Sequence, residues 1–346
     1  MRSAGVSPAG PPASAPAAGR RLASRRGRRR SDDKSFRIGT GAFAALVLLI
    51  VAGIAFELTR QSSLSIRKFG LKFWTTRIWD PVAGDFGALP FIWGTLYSSA
   101  LALLIATPIA LGIAIFISEL SPRALRMPLS YLTELLAAIP SIVYGLWGIF
   151  VLVPMVRKVE LWAPPALKKL PLFKGPPLGV GMLAAALILA IMVIPFTSSV
   201  AREILKNVPT TQREAAYALG ATRWEAIKVA IGYGKTGILG AVMLGFGRAL
   251  GETMAVTMVI GNSPQISTSL FAPQYTMAAV IANEFTEAAD ELYLHALIEI
   301  GLLLFIITIV VNLISRLMIW SMKARTAVAA VEPPIAEPQP PQAEAA

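Results

Sequence analysis

The sequence predicts an all-α membrane protein with six transmembrane helices, and three observations carry that reading. Of the 346 residues, 55% are hydrophobic and only 15% charged, whereas a soluble domain carries about 25% charged residues. Mean hydropathy is correspondingly high, at +0.62. Six apolar stretches, near 38–58, 90–117, 129–156, 178–200, 236–260 and 294–320, each reach the roughly 20 residues that a spanning helix needs. Cysteine is absent and His295 is the single histidine, so disulfides, thiolate metal sites and histidine metal clusters are excluded.

Residues 1–37 are rich in Ala, Pro and Gly and then strongly basic ("GRRLASRRGRRRSDDKSFR"). Such a composition cannot bury a core and predicts a disordered basic arm. The next stretch, "AFAALVLLIVAGIAFELTR", is long for a signal-peptide core and lacks a small-residue cleavage site before Arg60, so it reads as the first span. Pro140 in "AAIPSIVYG" and Pro195 in "MVIPFTSS" remove helical hydrogen bonds and predict kinks in the third and fourth spans. Kinks can line a pathway, although packing is their commoner use. Beside them, Ser141, Thr197, Ser198 and Ser199 are placed to satisfy freed carbonyls or to donate to an oxyanion, and the first role is favoured. Residues 38–322 form the six-helix domain, with Glu134 at the start of the third span. Residues 323–346 ("EPPIAEPQPPQAEAA" at their end) form a Pro/Ala-rich tail expected to be disordered.

Orientation follows from basic residues. With the N-terminus inside, the inner segments, counting the tail from Arg316, hold 21 lysines and arginines and the outer loops 10, Arg248 in the fifth span being the remaining one. This bias places both termini in the cytoplasm. It also accounts for most of the net charge of +12 without a nucleic-acid partner.

The loop at 209–232, within "VPTTQREAAYALGATRWEAIKVAIGYG", contains two capping-box patterns in succession, Thr211 with Glu214 and Thr222 with Glu225. Gly220 lies between them, where a left-handed helix C-cap suits glycine. Ala215, Ala216 and Ala218 give the first helix small side chains that let its backbone approach a partner. An ordinary amphipathic loop meets the same spacing, so the pattern alone leaves both readings open.

The fifth span, containing "GFGRALGETMAVTMVIGN", carries Arg248 and Glu252. Four residues apart, they are neighbours on one face if the helix is continuous. Gly247 and Gly251 would form a small-residue strip beside them that presses the helix against others. A charge at a helix centre in lipid costs roughly 2.5–3.5 kcal/mol, so the pair needs a reason to be there. One reason is a tether between helices, although buried ion pairs add little net stability. The other is an anion route, in which the guanidinium fork binds oxyanion oxygens and the carboxylate weakens that grip enough for release. No catalytic constellation and no G-x-x-x-x-G-K-[ST] loop is present, so the chain reads as a non-enzyme.

Glu214-Ala215-Ala216, followed after three residues by Gly220, resembles the "EAA" loop of bacterial ABC importer permeases. The family pattern ends Ile-x-Leu-Pro, whereas this chain reads "AIGYG", with Gly232 at the proline position. With "WDPVAGDFGALPFIWGTLYSS", "ELLAAIPSIVYGLWGIFVLVP", "MLGFGRALGETMAVTMVIGN" and "VIANEF" in order, the chain resembles the C-type permease subunit of the high-affinity phosphate importer, from Trp79 to Trp320. That resemblance implies a type I ABC importer permease fold in the bacterial inner membrane. It implies four kinds of partner: a homologous A-type permease subunit, two ATPase subunits, an extracytoplasmic phosphate-binding protein and membrane lipid. No cofactor is expected on the chain itself, ATP being used by the ATPase. The EAA loop would couple to that ATPase, and Arg248 and Glu252 would lie on the translocation path. Asn283, Glu284 and Phe285 belong to an acidic outer segment, expected as a short re-entrant or surface helix facing the binding protein, while His295 reads as incidental. Rival expectations are a molybdate or sulfate permease, an ion-gradient-driven transporter with Arg248/Glu252 as a proton relay, and a platform that signals phosphate supply.

Overall fold

A computed structural model of the chain describes residues 17–329, giving backbone alone for 17–35, 167 and 323–329. Regular structure among them is helical apart from two isolated bridges. The chain divides into two units after Glu57. The first unit consists of most of α1 (Ala17–Gln61), whose apolar part, Phe36–Gln61, is long enough to span a membrane. Residues 1–16 of the expected arm lie outside the described residues, and 17–37 are helical where an irregular arm was expected. Alanine, leucine and arginine are strong helix formers, and the apolar segment beyond them supplies the nucleus from which a helix extends.

The second unit opens with α2 (Ser63–Phe69) and the single turn α3 (Lys72–Thr75). α4 (Leu89–Ile115) follows and is extended by a π-helical turn, Phe116–Leu120. α5 (Arg123–Ala138) is short and amphipathic; α6 (Ser141–Trp147) passes through a second π-helical turn, Gly148–Leu152, into α7 (Val153–Trp162). α8 (Pro165–Lys168) leads to α9 (Met182–Lys206), α10 (Thr210–Ala218) and α11 (Arg223–Leu250). α12 (Met254–Val259), α13 (Met277–Glu284) and α14 (Glu291–Ala329) complete it. Residues 323–329 of the expected disordered tail are thus helical, and 330–346 lie outside the described residues.

Six helical segments among the described residues are long and apolar enough to cross a membrane, in agreement with the expected number. Two boundaries differ from expectation. The third span is Ser141–Trp162 and not 129–156. Proline disfavours helical backbone in the residue before it, so Ile139 is extended (ψ 130°), α5 ends at Ala138, and Pro140 separates two helices where a kink was expected. The fifth span is Arg223–Leu250 and not 236–260, because the helix stops at Gly251 and restarts at Met254. Pro195, in contrast, is buried inside an α9 that runs uninterrupted from Met182 to Lys206.

The core is built on α9 and α4. Ala102, Ala106, Ala110 and Ala114, every fourth residue of α4, are fully buried, and such a ridge of small side chains lets helices pack closely. Facing it, α9 buries Ala184, Ala185, Ile188, Leu189 and Met192. α11 closes on α9 through a second four-residue strip, Gly237, Ala241, Gly245 and Ala249. A Cβ at Gly245 would collide with Thr197 Oγ1 and stand 3.0 Å from Val193 Cγ1; at Gly237 it would stand 2.8 Å from Ile204 Cγ2. At Gly247 and Gly251 the nearest atoms to such a Cβ are 3.9 Å away. The close-packing strip is therefore offset from the one expected, and the Gly247/Gly251 face is not pressed against a helix of this chain.

Candidate functional site

Arg248 lies in the last turn of α11, and Glu252 lies beyond the break at Gly251. The two are not stacked on one continuous helix, and among the described residues neither belongs to an ion pair. Glu252 Oε1 instead accepts from the Ala255 backbone N–H, 3.3 Å away, in the first turn of α12. Each charge thus sits at the helix end it complements: the cation where α11 presents unpaired carbonyls, the anion where α12 presents unpaired N–H groups. That arrangement accounts for two ionisable residues in an apolar run without a salt bridge between them.

The Arg248 side chain is exposed in the single chain. Its Cζ stands 5.6 Å from the centroid of the Phe196 ring, a cation–π distance, and its charge acts on Tyr144. Phe196 follows Pro195 on α9, and Tyr144 follows four residues after Pro140 on α6, where its hydroxyl donates to the Leu136 carbonyl at 2.8 Å. The structure thereby brings both prolines to the neighbourhood of Arg248 through the aromatic residues beside them. Neither aromatic was singled out from sequence; an aromatic adjoining a proline within an apolar run was the available signal. The guanidinium keeps its donors free for an oxyanion or a second chain.

Ser198 and Ser199 donate to the carbonyls of Pro195 (3.0 Å) and Phe196 (2.9 Å), not to the carbonyl of Ile191 that Pro195 frees, while buried Thr197 has no hydrogen-bond partner among the described residues. Glu134 pairs with Arg202 at 2.9 Å. His295 approaches Glu291 at 3.9 Å.

The loop after α9 forms the second candidate region. Thr222 and Glu225 make the expected capping box at the start of α11. Gly220 adopts φ +82°, a left-handed conformation that costs other residues about 1–2 kcal/mol. The first expected box is absent: α10 begins at Thr210 after Pro209, so Thr211 already lies inside the helix and cannot cap it. Glu214, Ala215 and Gly220 are exposed, Ala216 is buried, and Leu219 (90% exposed), Tyr217 and Trp224 leave an apolar patch open to a partner.

Sequence reasoning missed what fastens this loop. Arg213 donates to the carbonyls of Leu205 (2.8 Å) and Val208 (2.9 Å) after the turn of α9, and to Glu119 Oε1 at 2.6 Å in the extension of α4. Arg223 donates to the Glu119 carbonyl at 2.8 Å. α10 is therefore bolted to both core helices by buried, charge-assisted hydrogen bonds.

At the opposite end of α4, Phe73, Phe86, Phe91, Tyr275 and Tyr293 form an aromatic cluster. Glu284 accepts from Trp79 Nε1 (2.8 Å) and Tyr293 Oη (2.6 Å), and Asn283 Nδ2 donates to Tyr275 Oη (3.0 Å). Burial, above all, holds the Tyr275 phenol far above its ordinary pKa. Asn283 and Glu284 thus brace this cluster, and Phe285 is half-exposed.

Six spanning-length helices among the described residues define a multi-pass membrane protein. A family model described as binding-protein-dependent transport system inner membrane component matches residues 106–323. The chain is 49% identical over 300 residues to the phosphate transport system permease protein PstC of Mesorhizobium japonicum, covering 85% of this chain and 92% of that one. It is 48% identical to the protein of the same name from Haemophilus influenzae, with coverage of 83% and 93%. A probable phosphate permease of Methanocaldococcus jannaschii is 40% identical, covering 72% of this chain and 82% of that one. Among solved structures, an inward-facing MetNI methionine ABC transporter chain matches with TM-score 0.51 at 16% identity, covering 66% of this chain and 93% of that one; the likeness is one of fold. The chain belongs to the binding-protein-dependent transport inner-membrane component family and is a multi-pass inner-membrane permease.

Proposed function

We propose that the chain is the C-type permease subunit of an ATP-driven importer and carries inorganic phosphate across the cytoplasmic membrane. The names of its relatives and their 48–49% identity support this reading. Its partners are a homologous A-type permease, two ATPase subunits and an extracytoplasmic phosphate-binding protein. Both termini are cytoplasmic. ATP is bound and hydrolysed on the ATPase, and this chain binds no cofactor. The ATPase docks on Glu214, Ala215, Ala216 and Gly220, and its closure drives α10 against the core. On this reading Arg248 meets phosphate along the path and Glu252, by holding the start of α12, keeps the break open beside it. Pro140 and Pro195 hold Tyr144 and Phe196 at the same place.

The single observation that carries the pathway assignment is the exposed guanidinium at the helix break, with no carboxylate bound to it. Uptake of labelled phosphate into vesicles tests it. Arg248→Gln abolishes uptake while the complex still co-purifies, and excess molybdate or sulfate leaves wild-type uptake unchanged. Full uptake by the variant reduces Arg248 to a packing residue.

A further inference from the structure

Against α14, on the side formed by α2 and α3, lies a cavity of about 220 Å³ that the transport reading does not use. Its walls are apolar: Ile66, Leu71, Trp74, Leu302 and Leu303. Glu299 also lines it, is only 3% exposed, and its Oε2 has no hydrogen-bond partner. Ser65 is fully buried beside it, and its hydroxyl faces the Glu299 carboxylate and has no other partner. A buried carboxylate with a single hydroxyl facing it and an oxygen left unsatisfied costs free energy unless something from outside the chain completes it.

The site's depth narrows what that can be. The spanning part of α14, Glu291–Met322, has 32 residues, about 48 Å at 1.5 Å per residue, against a hydrocarbon core of roughly 30 Å. About 9 Å therefore overhangs at each end, and Glu299, eight residues in, sits near the boundary between headgroups and acyl chains. Trp74 at the mouth suits that level, where tryptophan is enriched in membrane proteins. Leu71 is 80% exposed, so the mouth is open. Arg67 and Lys72, next in sequence to the lining residues Ile66 and Leu71, are exposed and outside any ion pair among the described residues.

We propose that this cavity binds the headgroup of a phospholipid bearing a primary ammonium. The ammonium donates to Glu299 and Ser65, the phosphate lies between Arg67 and Lys72, and the acyl chains run down past Leu302 and Leu303. The charge order matches a zwitterion, with acid inside and bases at the rim. A divalent cation is a poor fit, because calcium takes six to eight oxygen ligands and magnesium six. A choline headgroup fits poorly too: it has no N–H to donate, and Trp74 alone makes no aromatic cage.

Native mass spectrometry of the purified importer complex tests this. The complex is taken from nanodiscs of matched acyl composition containing either phosphatidylethanolamine or phosphatidylcholine, each with the same fraction of phosphatidylglycerol. The expected result is one ethanolamine lipid retained per chain, at least tenfold over choline lipid, falling to background in Glu299→Gln and partly in Ser65→Ala. Equal retention of the two lipids overturns the proposal, as does unchanged retention in Glu299→Gln. Absence of retained lipid from both also overturns it and leaves water or a proton on Glu299. Should Glu299→Gln not assemble, the wild-type comparison between lipids decides alone. The readout is independent of transport, so it stands or falls separately from the phosphate assignment.

Discussion

Two arginines at the two ends of α11 are treated in opposite ways. Arg213, in α10 just before it, is mostly buried, and its two terminal nitrogens are held by two carbonyls and the Glu119 carboxylate, while its Nε has no partner among the described residues. Arg248, at its far end, is exposed, in no ion pair among the described residues, and stands over the face of Phe196. A charge that must pass force between helices is held by its neighbours. On the proposed reading, in which Arg248 meets a mobile anion, it is left without a competitor because a strongly held guanidinium would not exchange partners.

The largest expected effect separates geometry from charge at the open end. Arg248→Gln abolishes vesicle uptake; Arg248→Lys, which keeps the charge but loses the planar fork, restores only a small part of it. Wild-type uptake by the lysine variant would mean that charge alone suffices. At the fastened end, Arg213→Ala leaves the carbonyls of Leu205 and Val208 and the Glu119 carboxylate unpaired, at about 1–3 kcal/mol for each buried group. ATP hydrolysis by the complex should persist while phosphate transported per ATP falls. A ratio equal to wild type would show that α10 needs no bolt.

Smaller effects probe the strip between the two ends. Gly245→Ala overpacks α11 against Thr197 and Val193 and should cost about 1–3 kcal/mol, seen as a lowered thermal midpoint of the purified complex. Gly247→Ala, with nothing nearer than 3.9 Å within the chain, is its control and should be near neutral unless a partner subunit covers that face. Thr222→Ala removes the capping box and should cost about 1 kcal/mol, detectable as faster amide exchange in the first turn of α11.

The number of spans and the capping box at Thr222 were legible because long apolar runs and capping spacing are local signals. Their ends were not. Pro140 reads in sequence as a kink, yet whether a proline bends or ends a helix depends on the packing that re-satisfies the freed carbonyls, and around Pro195 the helix continues. Gly251 lay in an expected packing strip, but it terminates the helix, and that turned a side-by-side charge pair into two helix caps. Arg213 carried no local signal at all. It looks like any basic residue of a cytoplasmic loop, and its partner Glu119 is 94 positions away in the chain.

α11 begins at the Thr222 capping box and runs without interruption past Arg248 to Leu250, about 42 Å for its 28 residues. It is one shaft with a handle at the bottom and a guanidinium at the tip. A swing of about 5° at the handle would carry the tip sideways by roughly 3.7 Å, more than the length of a hydrogen bond. A nudge too slight to unpack any interface could therefore make or break its grip on an anion.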